Sequence, residues 1–324
     1  MRLISLILAT TWLCAGSTAA ARDEVGPATS AAVEQKIARD MGGHMFLPSH
    51  LIDNPFSETF VWMSIGLGAG EALGATIQPD PPAVLPESRW YGYTGLGLLA
   101  SGGARVLEYL SVRGAVGTSA YLGSGRDAAL TIGSSARISG GLGAKGSLPV
   151  GENLRFAATF DASYGPVYSI LIAQGLLDAI NSGQISTSEF LQAYDTFTWI
   201  GGLVGSWAPW PFLGFTLDGK FLAPTKTGKA SYAQNGIFAA AMADFDARPI
   251  WAWLPLGLNA AYTITSPVGG NGVSTLQEFG FGLYYTGRRD LGLGLQFEWK
   301  QGRLESQQAS RATLVWLDLK YYWD

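Results

Sequence analysis

From Leu291 to Lys300 the chain alternates without a break: Leu291, Leu293, Leu295, Phe297 and Trp299 stand between Gly292, Gly294, Gln296, Glu298 and Lys300. A period of two puts all the large apolar side chains on one face of an extended strand and glycine and charge on the other. The pattern recurs. Leu154, Phe156, Ala158, Phe160 and Tyr164 oppose Arg155, Thr159, Asp161 and Ser163, while Leu213, Phe215, Leu217 and Phe221 oppose Thr216, Asp218 and Lys220. Over 128–147, Leu130, Ile132, Ile138 and Leu142 face away from Arg137, Ser139, Lys145 and Ser147. The period leaves open whether the apolar face meets protein or lipid.

Export and hydropathy decide between them. Arg2, an apolar run over 3–15 and small residues up to Ala21 precede Arg22-Asp23-Glu24, the layout of a cleaved secretory signal peptide over residues 1–21. The single cysteine, Cys14, lies inside it. The mature chain is therefore expected to have no disulfide, thiol nucleophile or cysteine metal site. Only 14% of residues are charged, against roughly a quarter in soluble domains. Yet the remaining chain has no uncharged apolar run of about 18 residues, the length a spanning helix needs. A net charge of −4 without basic clusters argues against nucleic acid as a partner. An exported, apolar, charge-poor chain without spanning helices satisfies its backbone in lipid by closing into a barrel. The expected fold is an all-β membrane protein, a closed antiparallel transmembrane β-barrel over 57–324 in the outer membrane of a Gram-negative bacterium.

Twelve strands are expected, with 10 to 14 allowed by the pattern. They fall near 58–70, 89–101, 105–121, 128–147, 154–164, 196–207, 212–223, 230–245, 250–265, 275–286, 290–301 and 310–323. Long connections alternate with tight ones such as 101–104, 149–153 and 286–289, as in barrels with long external loops and short periplasmic turns. The strands near 58–70, 89–101 and 230–245 alternate poorly and do not reveal their faces. Trp90, Trp207, Trp210, Trp251, Trp253, Tyr285 and Tyr321 sit near strand ends, where aromatic girdles meet the membrane interfaces.

Before the barrel, residues 27–41 read as a short helix ended by Gly42-Gly43. Residues 22–56 as a whole form either a plug or a periplasmic segment. Between the fifth and sixth strands the alternation stops over 166–195. There a helical hairpin is expected, with Ile170, Ile172, Leu176, Leu177 and Ile180 on its first helix. A Ser186 to Glu189 capping box then opens a second, carrying Phe190 and Leu191. Loop parity places this hairpin in the third external loop, as a lid or as a dock for a small hydrophobic ligand.

The last strand, where Thr313, Val315, Leu317, Leu319, Tyr321 and Trp323 alternate with Leu314, Trp316, Asp318, Lys320 and Tyr322, resembles the C-terminal signature of bacterial outer-membrane barrels. That resemblance implies recognition by the barrel-assembly machinery; here Asp324 follows the final aromatic. An N-terminal segment ahead of a barrel with apolar external helices, and the pair Asn54-Pro55, are similar to the outer-membrane long-chain fatty-acid transporter family. That family has fourteen strands, and a small residue where Phe56 stands here.

With this register the lumen receives Arg113, Arg137, Lys145, Arg155, Asp161, Asp218, Lys220, Glu278, Glu298, Lys300, Asp318 and Lys320, seven basic and five acidic. Such a mixture fits a water-filled pore or cross-strand ion pairs. Both histidines, His44 and His50, precede the first strand, so the barrel itself carries no Ser-His arrangement. Metal binding by His44, His50 and Asp53 ranks below simple loop solvation. No cofactor and no catalysis are expected. The reading is a passive channel or transporter for small solutes, with hydrophobic ones a candidate class; the alternative is a non-conducting structural or interaction barrel whose external loops bind a partner.

Overall fold

A computed structural model describes residues 39–75, 88–125, 128, 133–170, 191–194, 196–226, 235–268, 275–303 and 309–323. The predicted signal peptide and nearly all of the expected N-terminal helix lie outside them.

Twelve antiparallel strands close into a barrel: β3 (Thr59–Ala75), β4 (Ser88–Leu107), β5 (Leu110–Gly123), β6 (Ser134–Pro149), β7 (Leu154–Tyr164), β10 (Thr196–Trp210), β11 (Leu213–Lys226), β12 (Gly236–Asp246), β13 (Leu256–Pro267), β14 (Leu276–Tyr285), β15 (Leu291–Arg303) and β16 (Ala309–Trp323). Each pairs with the next, and β16 returns to β3 with Trp323 opposite Thr59, so the ring has no free edge. The even count brings both barrel termini to the end that carries the short turns.

Side chains alternate as lipid exposure requires. On β15, Leu293, Leu295, Phe297 and Trp299 are exposed outward, while Gln296 and Glu298 are buried inward. The three strands that looked irregular obey the same rule. Val61, Met63, Ile65 and Leu67 of β3 point out and Ser64 is buried; Leu96 and Leu98 of β4 and Ile237 of β12 also point out. Their inward faces hold apolar residues too, Leu99 on β4 and Phe238 and Met242 on β12.

Several boundaries differ from the sequence expectation. Ser101 to Ala104 do not form a turn: β4 runs through them to Leu107, and the reversal comes at Glu108-Tyr109. Gly103 is there to accommodate the Phe60 ring, which a Cβ would meet at 2.5 Å. β6 starts at Ser134 instead of 128, and β13 only at Leu256, leaving Trp251 and Trp253 in a connection. In the third loop, Val167–Ile170 (β8) and Leu191–Tyr194 (β9) pair as strands, in register with β7 and β10, and β8 stays on β6. Both ends of the expected helical hairpin, including Ile170 and Leu191, are therefore β-ribbon. The ribbon lets β7 and β10 continue their backbone pairing past Gly165-Pro166. Ile172, Leu176, Leu177, Ile180 and Phe190 lie outside the described residues.

Residues 39–58 run inside the barrel. Asp40–Met41 (β1) and His44–Met45 (β2) form a small hairpin. Gly42 and Gly43, with φ of 59° and 79°, supply the two positive-φ positions of its two-residue turn. The Gly-Gly pair is thus a hairpin turn, and the predicted helix does not extend to Met41. The hairpin lies at the turn end, where Arg39 donates to the Arg289 carbonyl at 2.6 Å and Asp40 pairs with Arg289 at 2.9 Å. The chain then rises to His50-Leu51 and returns through Asp53-Asn54-Pro55 to Glu58 and the start of β3.

Candidate functional site

The lumen and the plug of residues 39–58 make the site together. Against the arc β10 to β14 the plug packs mainly by apolar contact. Leu51 and Ile52 cluster with Ala240, Met242 and Ala261, and Phe46 and Phe56 with Met41 and Ala208. Glycines on this arc admit plug side chains: a Cβ on Gly280 would meet Leu51 at 2.5 Å, on Gly257 Leu47 at 2.9 Å, and on Gly214 His44 at 2.6 Å. Asn259 donates to the Pro48 carbonyl at 2.9 Å.

Toward the arc β3 to β7 the plug is held by charge. Asp53 pairs with Arg113, whose guanidinium also binds Asp161 of the barrel wall at 2.7 and 2.8 Å. Lys145 donates to Asp53 at 3.2 Å and to the Asn54 carbonyl at 2.8 Å, and Ser147 to the Pro55 carbonyl at 2.6 Å. Across the lumen, the Asp53 amide donates to Asp218, itself paired with Lys220 at 2.8 Å. Burial alone would raise the Asp53 carboxyl, but Lys145, Arg113 and Lys220 hold it well below the usual carboxylate range. Asn54 accepts the Phe56 amide at 3.1 Å, an Asx-turn that Pro55 pre-sets by fixing its own φ.

A second network centres on His50. Its Nε2 lies 2.5 Å from Asp318, and its ring stacks between Trp62 and Trp316, with centroids 4.6 and 4.9 Å away. Ser64 and Tyr284 also donate to Asp318, at 2.7 and 2.8 Å. From there Gln296 donates to Glu298 at 3.0 Å, and Lys300 joins Glu298 and Glu278 at 3.1 and 2.8 Å. Near the turn end Lys320 pairs with Glu58 at 3.1 Å and sits 4.1 Å over the Phe60 ring.

The structure thus places the twelve lumen residues in groups. Arg113, Lys145, Asp161, Asp218 and Lys220 surround Asp53; Glu278, Glu298, Lys300 and Asp318 form the β14 to β16 ladder; Lys320 holds Glu58. Arg155 lies 5.1 Å from the Phe56 ring, and Arg137 lines the outer chamber. The sequence reading missed the plug's own contributions, His50, Asp53, Asn54 and Glu58, together with Tyr284, Gln296, Trp62 and Trp316. Tyr284, Gln296 and Trp316 stand in the polar register of their strands, which was the available signal. His44, His50 and Asp53 are neither a metal cluster nor a solvated loop. His44 Nδ1 lies 3.3 Å from the Pro211 carbonyl, and the other two face the separate partners above. Burial drives the His44 imidazole down to about 4.

Open space borders the plug at two places among the described residues. An outer chamber of about 550 Å³ has His50 and Leu51 as its floor and Tyr93, Ser119, Tyr121 and Lys300 among its walls. A side cavity of about 280 Å³ runs between the plug and β4 to β7, and Leu99 lines both.

The fold and this filled lumen define an outer-membrane β-barrel. No family model matches the chain, and no curated protein does. Among solved structures it is similar to the KdgM porin (10% identity, 81% of this chain and 99% of that one, TM-score 0.40). It is also similar to the toluene transporter TodX of Pseudomonas putida (11%, 88% and 96%, 0.43) and to the translocator domain of the autotransporter NalP from Neisseria meningitidis (12%, 84% and 91%, 0.46).

Proposed function

We propose that the protein is a non-enzymatic outer-membrane channel for passive passage of small, hydrophobic solutes, exported through a cleaved signal peptide. The observation that carries this reading is the unevenly packed plug. It packs closely on β10 to β14 and leaves an outer chamber walled by β3 to β6 and β14 to β16, and a side cavity along β4 to β7. A solid structural stave would have no use for that space. The partners that follow are outer-membrane lipid around the apolar belt and the assembly machinery at the last strand. A small hydrophobic ligand would dock at the third loop, as the resemblance to the fatty-acid transporters implies. Planar-bilayer recordings and liposome swelling with purified protein test the reading: permeation is expected, and its absence would leave the interaction barrel. Deleting residues 171–190 should slow uptake of a hydrophobic ligand; unchanged uptake removes the docking role.

A further inference from the structure

The side cavity lies between the plug and β4 to β7, and one side chain crosses it. Arg113 projects from β5 into the side cavity, grips Asp161 on β7 with two nitrogens, and reaches Asp53 on the plug with the third. All three residues line the cavity, together with Ala115 and Ser163 on the barrel wall. Above this bridge Leu99 joins the cavity to the outer chamber. On the opposite arc, plug side chains sit within van der Waals contact of wall glycines, with no such gap at Gly214, Gly257 or Gly280.

We infer that solutes pass the plug along the wall formed by β4 to β7, from the outer chamber into the side cavity, and that the Asp53–Arg113–Asp161 bridge closes this track. This rests on the channel reading and deepens it. The solute class follows from the lining. Leu99, Ala115, Ile52 and Met242 give the cavity apolar surface, and the two carboxylates of the bridge are balanced by Arg113 and by Lys145, which also holds Asp53, so the cluster presents no net charge to recruit an ion. Uncharged, mostly apolar molecules fit the space, and a charged solute would have to displace a matched ion pair. Because Arg113 is held at both ends, either carboxylate alone can keep it lodged; freeing the track requires losing the guanidinium itself.

Accessibility to a thiol reagent tests the route. In a Cys14→Ser background, the full-length protein would carry Ala115→Cys, Ser163→Cys or, on the plugged arc, Ala240→Cys. Each is combined with Arg113→Ala, reconstituted in liposomes and exposed to N-ethylmaleimide, an uncharged thiol reagent, after heat-modifiable gel migration has shown a folded barrel. Swelling in an uncharged solute should be several-fold faster with Arg113→Ala than with the parent or Arg113→Lys, and modification should remove most of that gain with Ala115→Cys and Ser163→Cys and none of it with Ala240→Cys. A gain that persists after modification at both Ala115→Cys and Ser163→Cys, or Arg113→Ala swelling equal to a measurable swelling of the parent, overturns the track while leaving the channel reading intact. No swelling in the parent and in Arg113→Ala alike overturns both.

Discussion

The two arcs of this barrel hold the same plug by different physics. Against β10 to β14 the contact is mainly apolar and close, with Leu47, Leu51 and Ile52 pressed onto glycine and alanine, and on β16 His50 and Glu58 add pairs with Asp318 and Lys320. Against β3 to β7 the contact is ionic and directional, carried by Asp53, Arg113, Lys145 and Ser147. Apolar packing stabilises only what touches, so it draws the plug to one side. A long charged side chain can span a gap and still pay its desolvation through paired hydrogen bonds. Attachment and vacancy therefore coexist within one cross-section, and the comparison predicts that disturbing the arcs will have different consequences.

The largest effect is expected from the ionic side. Replacing Asp53 by Ala strips Lys145 and Arg113 of a shared buried partner, and breaking one member of a buried ion pair costs about 3 to 5 kcal/mol. Hydrogen exchange should show residues 39–58 losing protection while the barrel strands keep theirs. Equal protection in parent and variant would mean that the apolar arc alone fixes the plug.

Acid attacks the apolar side. His44 is buried beside Gly214 and Phe46, and its pKa falls from 6.5 to about 4. The unfolded or undocked chain takes up a proton below 6.5 while the docked one stays neutral. Its contribution is thus complete above pH 6.5 and is lost as pH falls toward 4, worth about 3 kcal/mol over the interval. Asp53 stays charged through that window, because its carboxyl is held low. Asp40, raised by burial, works in the opposite sense near the window's acid end. Plug protection measured at pH 7 and pH 4.5 should diverge in the parent and converge in His44→Gln. A His44→Gln plug that loosens just as much on acidification would discard the imidazole as the cause.

Much of this was legible from the chain, and the illegible part has one source. Alternation is readable where the inward face is polar, as over β7, β11, β15 and β16, and there strand and facing could be assigned. It fades on β12 because Phe238 and Met242 face the plug's Ile52 and Leu51, which makes both faces apolar. On β3 and β4 it fades because Gly66 and Gly97 yield their space to the Trp316 indole, which a Cβ on either would meet at 2.5 Å. Strand propensity carries no trace of a distant segment's volume. For the same reason Gly103 looked like a turn: a glycine chosen for a ring and one chosen for a reversal are spelled alike. The plug itself has little regular structure, so its buried positions follow no period. His50 finds its carboxylate 268 residues away and Asp53 its guanidinium 60 away.

The smallest and sharpest difference should come from matched glycine substitutions. Gly280 on the plugged arc and Gly117 on the open arc both face inward. A Cβ at Gly280 would lie 2.5 Å from Leu51 Cδ1, whereas at Gly117 its nearest neighbours are Ser139 Oγ at 3.2 Å and then Leu98 O and Leu99 Cδ1 at 3.5 Å. Overpacking a filled core costs about 1 to 3 kcal/mol, and Gly280→Ala has nowhere to put its methyl without shifting Leu51 and the cluster it seals. Gly117→Ala borders the outer chamber and asks only for a small rotation of a serine hydroxyl, so its cost should stay within about 0.5 kcal/mol. Chemical denaturation in detergent would read both. If the two variants lose equal stability, the plug is not preferentially seated on β10 to β14, because the only difference between these two methyl groups is what already occupies the space in front of them.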